Sequence, residues 1–194
     1  MKKTQTLIPT LLCCFLCLAT YGQKTLIKEN HTFTENMIGW EKGTWGDARS
    51  EPEARIIIDN NDGHDDKASI KVLVDKATKD NPSKIFLLRK GIKLKKGKTY
   101  TISFWAKSRV ADDSVRLLIY SSEETGSKKE WGGVVERDLR FLGDGTWQQL
   151  SYTFEAKDKF PGAPADLGDL GISIGFGSRR GEYHIDNFKL VKID

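Results

Sequence analysis

The sequence predicts an all-β fold, a jelly-roll β-sandwich built from two packed antiparallel sheets. Short runs that are apolar, or that alternate between apolar and polar residues, recur along the chain, and this pattern is typical of β-strands. Turn-forming stretches separate the runs, among them Asp59–Gly63, Gly143–Gly145 and Phe160–Pro164. No stretch after the leader described below has a helical period of useful length. About nine strands in one domain favour two packed sheets.

The strands are placed on the individual runs. With no internal repeat and no linker in the sequence, one domain is expected over residues 23–194. The predicted strands are Lys24–Lys28, Ala54–Asp59, Ala68–Asp75, Ser83–Leu88, Tyr100–Lys107, Ser114–Tyr120, Trp147–Glu155, Gly171–Phe176 and Tyr183–Lys192.

Residues 1–22 are predicted to be an export signal. Two lysines give a positively charged start, and an apolar run follows over Leu7–Ala19. That run is shorter than the roughly 20 residues that a membrane-spanning helix needs. Cleavage is expected after Gly22, or alternatively after Ala19. The mature chain is therefore expected to be secreted, periplasmic or at the cell surface, without an integral membrane segment.

The cysteines bear on lipidation and on folding. All three, Cys13, Cys14 and Cys17, lie inside the predicted leader. A lipoprotein signal needs a small residue before its cysteine, and leucine precedes both Cys13 and Cys17, so lipidation is the less favoured alternative. The rest of the chain can hold neither a disulfide nor a thiolate metal site. Its length of about 170 residues is sufficient for a stabilising core.

The charge of the chain excludes two classes of partner. The formal net charge of +4 falls by two when the lysines of the leader are removed. So small a charge gives no electrostatic basis for binding nucleic acid or an anionic membrane. We expect a monomer.

Two long segments are predicted to be loops. Ile38–Pro52 carries Trp40 and Trp45 among glycines and charged residues, and Glu123–Leu142 carries Trp131 after a charged tip. Long loops in a small domain are often functional. Alternatively, these tryptophans close the ends of the sandwich.

The strand Tyr100–Lys107 has one apolar face and one polar face. Successive residues of a strand point to opposite sides, so Phe104 belongs to the core face and Trp105 to the polar face. The strand that follows places Arg116 and Tyr120 on its own polar face. We expect Trp105, Arg116 and Tyr120 to share one face of one sheet, whereas Trp147 is expected to be buried scaffold.

Such a face has the chemistry that a sugar ligand needs. The C–H faces of sugar rings pack against aromatic planes, while their hydroxyls need many donors and acceptors. The alternative is an ordinary solvated sheet face on which aromatic side chains stabilise cross-strand pairs.

Catalytic patterns are weak. The three histidines, His31, His64 and His184, stand in unrelated contexts and indicate neither a metal cluster nor a Ser/His/Asp triad. The glycine-rich stretch Gly175–Gly181 has the wrong spacing for a dinucleotide site. No predicted strand displays several acids on one face, as a glycosidase of this architecture would. We therefore predict no catalytic residues.

Four stretches, in order along the chain, share the pattern of one known family. The stretch Gly97–Lys107 has the closest match, and the closing stretch Tyr183–Leu190 also fits. The other two are Asn30–Phe33 followed by Gly39-Trp40, and His64–Val72. Together they resemble the carbohydrate-binding modules of families 4, 9 and 22, which are calcium-containing jelly rolls found on secreted glycanases.

The resemblance implies a galactose-binding-domain-like fold with a sugar cleft across its concave sheet. It also implies that Trp105, Arg116, Tyr120 and Phe86 line or border this cleft, and that Trp131 reaches into it from its loop. The bound ligand would be a polysaccharide or an oligosaccharide.

The resemblance further implies a structural calcium ion held by Asp186 and the opening segment. The glutamate that follows the opening phenylalanine in the family is Thr34 here, and Glu35 comes one residue later. Glu35 and Asp186 are therefore the expected metal ligands, and a calcium ion bound there would act on folding rather than on recognition.

Three functions remain open from the sequence. The first is a non-catalytic carbohydrate-binding module. The second is a non-catalytic adhesion or assembly module on the same fold, because one scaffold carries many ligands. The third and least favoured is a glycan-active hydrolase or lyase.

Overall fold

The computed structural model describes residues 25–27, 30–44, 54–77, 85–125, 128–157 and 170–193. For 121–125 and 128–134 it describes the backbone alone. The predicted leader and Trp45 lie outside these residues. The described strands are β1 (Glu41–Thr44), β2 (Ala54–Asp59), β3 (Ser69–Val74), β4 (Ile85–Ile92), β5 (Thr99–Ser108), β6 (Ser114–Thr125), β7 (Lys128–Arg140), β8 (Gln148–Glu155), β9 (Leu170–Phe176) and β10 (Gly181–Lys192).

The strands form two antiparallel sheets of five strands each. Sheet A has the order β1-β4-β9-β6-β7, and sheet B has the order β2-β3-β10-β5-β8. Most neighbours within a sheet are distant in sequence, so the chain crosses repeatedly between the two sheets. The predicted all-β sandwich is confirmed.

The core lies between the sheets and is filled by alternate residues of each strand. In β5, Ile102 and Phe104 are fully buried, and in sheet A so are Leu117 and Ile174. Phe104 stacks on Phe188 of β10 with ring centroids 5.4 Å apart. Because successive strand residues point to opposite sides, the remaining residues of each strand form the two outer faces of the sandwich.

A bulge in β10 changes which residues face the core. The register with β5 shifts between Asp186 and Lys189, and Asn187 has a φ of 51°. One extra residue reverses the alternation, so Ile185 and Phe188 both enter the core. Asp186, which precedes the shift, lies on the outer face of sheet B, opposite Trp105 of β5.

Every strand predicted from Ala54 onward forms, although the ends are shifted. The predicted first strand, Lys24–Lys28, is wrong for its described residues 25–27, which form no strand. These residues nevertheless lie alongside β10, because the amide of Leu26 donates a hydrogen bond to the carbonyl of Leu190 at 2.7 Å.

Both predicted loops contain a strand. Within Ile38–Pro52 lies β1, and Glu123–Leu142 is mostly β7, which pairs with β6 to form a long hairpin. β1 and β7 are edge strands, and edge strands carry charged residues that make them resemble loops in a sequence. In the described part of the chain, no helix is long and apolar enough to cross a membrane.

The hairpin extends past the described end of β9. β9 pairs with β6 only from Arg116 to Ser121. Past Ser121 the two strands of the hairpin pair with each other, up to Thr125 and Lys128. We call this part of β6 and β7, residues 122–125 and 128–131, the ribbon.

Candidate functional site

The outer face of sheet A brings together three of the predicted sugar-binding residues. The register aligns Phe86, Gly175, Arg116 and Asp138 in one row across four strands. A second row contains Leu88, Ser173, Leu118 and Glu136, and a third contains Gly171, Tyr120 and Gly133. We call these three rows the sheet A cleft.

Glycines allow two aromatic rings to lie against the backbone of this face. A Cβ atom at Gly171 would lie 2.9 Å from Cζ of Tyr120, and one at Gly43 would lie 2.5 Å from Cζ of Phe86. A larger residue at either position would push the ring away. Phe86 is only 9 % exposed, so it forms the floor of the cleft rather than an open platform. Tyr120 is half-buried.

Arg116 is fixed by two acids of the neighbouring strand. Its guanidinium donates two hydrogen bonds to Asp138, from Nε to Oδ1 at 2.8 Å and from Nη2 to Oδ2 at 3.1 Å. Glu136 lies 3.4 Å from Nη1. The hydrogen bond from Arg116 lowers the pKa of Asp138, while the bond to Asp138 raises that of Arg116. Both groups therefore stay charged and oriented, with no excess positive charge.

The middle of the cleft contains a buried hydroxyl without a partner. Ser173 is 1 % exposed, and among the described residues its Oγ has no hydrogen-bond partner. Two residues earlier in β9, the ring of Tyr120 and Cδ1 of Leu88 converge over Gly171, where a Cβ atom would lie 2.9 Å from Cζ of Tyr120 and 3.2 Å from Cδ1 of Leu88. Buried polar groups are nearly always paired with protein, water or ligand, so a water molecule or a ligand is the expected partner of this hydroxyl.

The environment of Tyr120 disfavours ionisation. Burial raises the pKa of its phenol, and the nearby charge of Glu41 adds to this. Glu41 itself pairs with Lys90 at 2.8 Å. The phenol is therefore neutral at physiological pH and can both donate and accept hydrogen bonds.

Trp105 lies outside the sheet A cleft, which corrects the prediction that it shares a face with Arg116 and Tyr120. Trp105 is in β5 of sheet B, whereas Arg116 and Tyr120 are in β6 of sheet A. The alternation along β5 is as predicted, with Phe104 inside and Trp105 outside. The prediction was wrong in assigning both strands to one sheet. β5 and β6 are consecutive in sequence, but they belong to opposite sheets.

A loop over residues 60–68 covers Trp105. The ring of His64 stacks on that of Trp105 with centroids 3.5 Å apart and an interplanar angle of 17°. The amide of His64 donates to Oδ2 of Asp186 at 2.7 Å, and Asn187 Nδ2 donates to Asp65 at 2.7 Å. The indole plane is thus occupied by the protein's own side chain, and Trp105 offers no stacking surface on that side.

Trp147 is less buried than predicted. It is half-buried and lies on the outer face of sheet B. Nζ of Lys107 sits 4.8 Å from its ring centroid, and the rings of His64 and His184 meet it edge-on at 6.0 and 6.1 Å. Trp147 precedes β8 rather than lying within it, so its side chain escapes the alternation that buries Leu150 and Phe154.

Trp131 lies on β7 opposite Ser122 of β6, within the ribbon rather than in a loop. Its side chain is outside the described atoms. The ribbon continues from the third row of the sheet A cleft, where Gly133 faces Tyr120.

The two expected calcium ligands, Asp186 and Glu35, differ in burial. Asp186 is fully buried, and both of its carboxylate oxygens accept backbone hydrogen bonds, from His64 and Asn187, each at 2.7 Å. Glu35 is exposed. No group of three or more histidine, cysteine or acidic side chains suited to a metal occurs in the described part of the chain. Calcium binding therefore stays a prediction.

Sequence reasoning missed two residues of the sheet A cleft, Ser173 and Asp138. The signal for Ser173 was present, because Gly171, Ser173 and Gly175 alternate with isoleucines, and small residues on the outer face of a strand indicate close contact with something above it. Asp138 was hidden because β7 was interpreted as a loop.

Comparison with known proteins identifies the class of protein. The family of carbohydrate-binding domains of families 4 and 9 matches residues 26–163, which is most of the chain, so the chain belongs to this family. No curated protein matches the sequence.

Solved structures share the fold. One described as "CBM4 structure and function" has a TM-score of 0.61 and 21% identity, covering 84% of this chain and 97% of that one. The CBM22-1 xylan-binding domain from Paenibacillus barcinonensis Xyn10C has a TM-score of 0.56 and 14% identity, covering 84% and 92%. A putative sugar binding protein from Bacteroides thetaiotaomicron has a TM-score of 0.57 and 16% identity, covering 79% and 87%. At these identities the likeness establishes the fold.

Proposed function

We propose that this protein is an exported, non-catalytic module that binds a polysaccharide or an oligosaccharide in the sheet A cleft. The family of the chain supports a saccharide ligand. The observation that carries the location is the unpartnered hydroxyl of Ser173, in the row adjacent to the one that contains the half-buried ring of Tyr120.

Each part of the sheet A cleft matches part of a sugar. The ring of Tyr120 provides an apolar plane for C–H groups, and its phenol provides a hydrogen bond. The clamped pair of Arg116 and Asp138 provides a fixed donor beside a fixed acceptor.

The charges of the cleft favour a neutral glycan. Among the described side chains of its rows, Arg116 faces Asp138 and Glu136, which together outweigh its positive charge. An acidic glycan would bring further negative charge to this surface without an unpaired cation to receive it.

A glycan-array screen of residues 23–194 tests the proposal. Binding is expected to neutral glycans, and the Tyr120→Ala variant should lose the signal. Incubating the protein with the recovered glycan should release neither new reducing ends nor unsaturated products, and either product would establish an enzyme. A blank screen with protein shown to be folded by circular dichroism would remove the proposal and favour the adhesion or assembly function.

Export is tested separately. N-terminal sequencing of protein recovered outside the inner membrane should begin at Gln23 or Thr20. An intact Met1, or a lipid on Cys17, would contradict the predicted leader.

A further inference from the structure

Three exposed arginines lie at one end of the sandwich, where two neighbouring loops cross between the sheets. The loop from β5 to β6, residues 109–113, carries Arg109, and the turn from β9 to β10, residues 177–180, carries Arg179 and Arg180. β5 is next to β10 in sheet B, and β6 is next to β9 in sheet A, so the two loops run side by side. We call the surface formed by these two loops the arginine end.

Hydrogen bonds fix the two loops to each other. Nη1 of Arg179 donates to the carbonyl of Ala111 at 2.9 Å. The buried carboxylate of Asp113 accepts hydrogen bonds from the hydroxyls of Ser178 and Tyr183. The arginine end is therefore held in one arrangement before a partner binds, which lowers the entropy cost of binding.

Two separate depressions open at the arginine end. The first has a volume of about 570 Å³, and its described lining residues, which include no acid, are Ala77, Ser178, Arg179 and Arg180. The second has a volume of about 270 Å³, is lined in part by Arg109, and reaches onto the outer face of sheet B. Because one small anion cannot occupy both depressions, the arrangement favours a partner that carries several anionic groups along a chain.

Neighbouring acids do not neutralise the three arginines. In the described part of the chain, no carboxylate forms an ion pair with any of them. The acids that line the second depression, Asp62 and Glu182, pair instead with Lys107 and Lys71. The guanidinium groups are therefore available to an anion from outside the protein.

Other exposed charges at this end add to the positive excess. Lys76 follows β3 and Arg140 ends β7, and the strand registers place both at the same end of the sandwich as the three arginines. The exposed acids of the adjoining loops are Asp112 and Asp144, and Asp144 already accepts two hydrogen bonds from Thr146. The described surface is thus suited to a negatively charged partner.

The side chains at this end also indicate the class of partner. The planar fork of arginine can bind a carboxylate or a sulfate through two parallel hydrogen bonds. Nucleic acid is disfavoured, because the nearby rings of Phe141, Phe176 and Tyr183 are buried and Lys107 lies over Trp147, which leaves none of these rings open for stacking on bases. The family of the chain binds carbohydrate, so a chain of acidic sugars is the partner that fits best.

We propose that the arginine end binds an acidic polysaccharide, whose carboxylate or sulfate groups pair with Arg180 in the first depression and with Arg109 in the second. This surface is separate from the sheet A cleft and does not depend on what binds there. The competing explanation is that the arginines only keep this end of the protein solvated.

The probes are oligosaccharides of polygalacturonate, which carry carboxylates, and of heparin, which carry sulfates. The methyl ester of the first is the neutral control. Each is titrated in EDTA into ¹⁵N-labelled protein, and the amide signals of residues 109–113 and 177–180 are followed by NMR. An acidic probe should shift these signals saturably, with an apparent Kd that rises with salt because exposed charges are screened. The methyl ester should not shift them.

Variants distinguish recognition from general attraction. Arg109→Ala combined with Arg180→Ala should raise the Kd about tenfold or more, as expected for loss of charged hydrogen bonds. The corresponding double lysine variant keeps the charge without the fork and should recover only part of the affinity. Lys93→Ala combined with Lys95→Ala removes two exposed cations at the opposite end of the sandwich and should leave the Kd unchanged.

Four results would overturn the proposal. Absence of a saturable shift with both acidic probes would leave a solvated charged end, and an equal rise of the Kd in the Lys93 and Lys95 variant would reduce the binding to attraction by net charge. Tighter binding of polyaspartate or of phosphatidylglycerol vesicles would overturn the class of partner. Tyr120→Ala should leave the titration unchanged, which keeps this test separate from that of the sheet A cleft, and loss of the shift in that variant would place the acidic glycan in the cleft instead.

Discussion

The guanidinium of Arg116 and the carboxylate of Asp138 face each other across β6 and β7 and are joined by two hydrogen bonds. A side chain as long as arginine normally loses rotamer freedom when it binds a ligand, and here Asp138 has already restricted it. The pair therefore behaves as one preorganised group at the edge of the sheet A cleft.

We expect Asp138→Ala to weaken glycan binding about as much as Arg116→Ala, by roughly 1–2 kcal/mol, since either change removes the oriented guanidinium. Isothermal titration calorimetry with the glycan recovered from the array measures this. The double variant should bind no more weakly than the worse single variant, because the two residues act together. Additive losses would mean that each residue contacts the sugar separately.

The ring of Tyr120 is predicted to be the main aromatic contact of the cleft. Tyr120→Ala should weaken binding by roughly 1–3 kcal/mol, in the range for aromatic anchors. Tyr120→Phe is the matched control, which keeps the ring over Gly171 and should retain most of the affinity. Trp131→Ala is expected to cause a loss of similar size. Unchanged affinity in both alanine variants would place the sugar on another surface.

The Ser173→Ala variant is expected to keep or gain stability and to lose affinity for the glycan. Ser173→Ala removes a buried hydroxyl that has no partner within the described structure, so the free energy of unfolding should stay the same or rise by up to about 1 kcal/mol. Affinity for the glycan should nevertheless fall roughly tenfold, because the sugar loses a hydrogen bond.

Ser69→Ala is the control for Ser173→Ala, since the hydroxyl of Ser69 is buried but bonded to Asp62 and His184. It should lose roughly 1–2 kcal/mol of stability and keep its affinity for the sheet A cleft. Urea unfolding and calorimetry measure the two quantities. A destabilised Ser173→Ala with full affinity would show that the hydroxyl is structural.

Asp186 should make stability depend on pH in the absence of calcium. Burial raises its pKa to about 6. A carboxyl whose pKa is higher in the folded than in the unfolded state adds stability below its unfolded value, and that stability is lost as pH rises through the folded value. In EDTA, the stability of the wild type relative to Asp186→Asn should therefore fall between about pH 4 and pH 6.

Added calcium is predicted to reverse this loss at pH 7, because a cation beside Asp186 compensates its buried charge. The readout is the melting temperature with and without calcium, compared between the wild type and Asp186→Asn. Identical pH profiles in the two proteins would contradict the raised pKa. No response of the wild type to calcium would remove Asp186 from any metal site.

The faces of the strands could be predicted from the sequence, but their partners could not. Alternation correctly placed Phe104 inside and Trp105 outside, because the period of a strand is a local property. Which sheet contains Trp105 depends on the crossover between β5 and β6, which no local pattern records. The stacking of His64 on Trp105 likewise joins residues from separate strands.

The polar edge strands were the other part of the fold that could not be predicted from the sequence. β7 was interpreted as a loop because charged residues such as Glu136 and Asp138 occupy its outer face, and these are the residues that bind Arg116. The features that concealed the strand in the sequence are thus part of the candidate site. Ser173 could be recognised only in the three-dimensional structure, since only burial and the lack of a partner distinguish it from an ordinary serine.

The length of the ribbon can vary without changing the strand pairing of the two sheets. Its residues in β6 and β7 pair only with each other within the described chain, beyond the last contact of β6 with β9. Inserting or deleting one residue in each strand would move Trp131 along the hairpin without disturbing the core. Because strand faces repeat every two residues, changes of two residues per strand would also keep each side chain on its original side. With a glycan in the sheet A cleft as proposed, changes in ribbon length would alter how far the protein extends over the ligand and leave the sandwich unchanged.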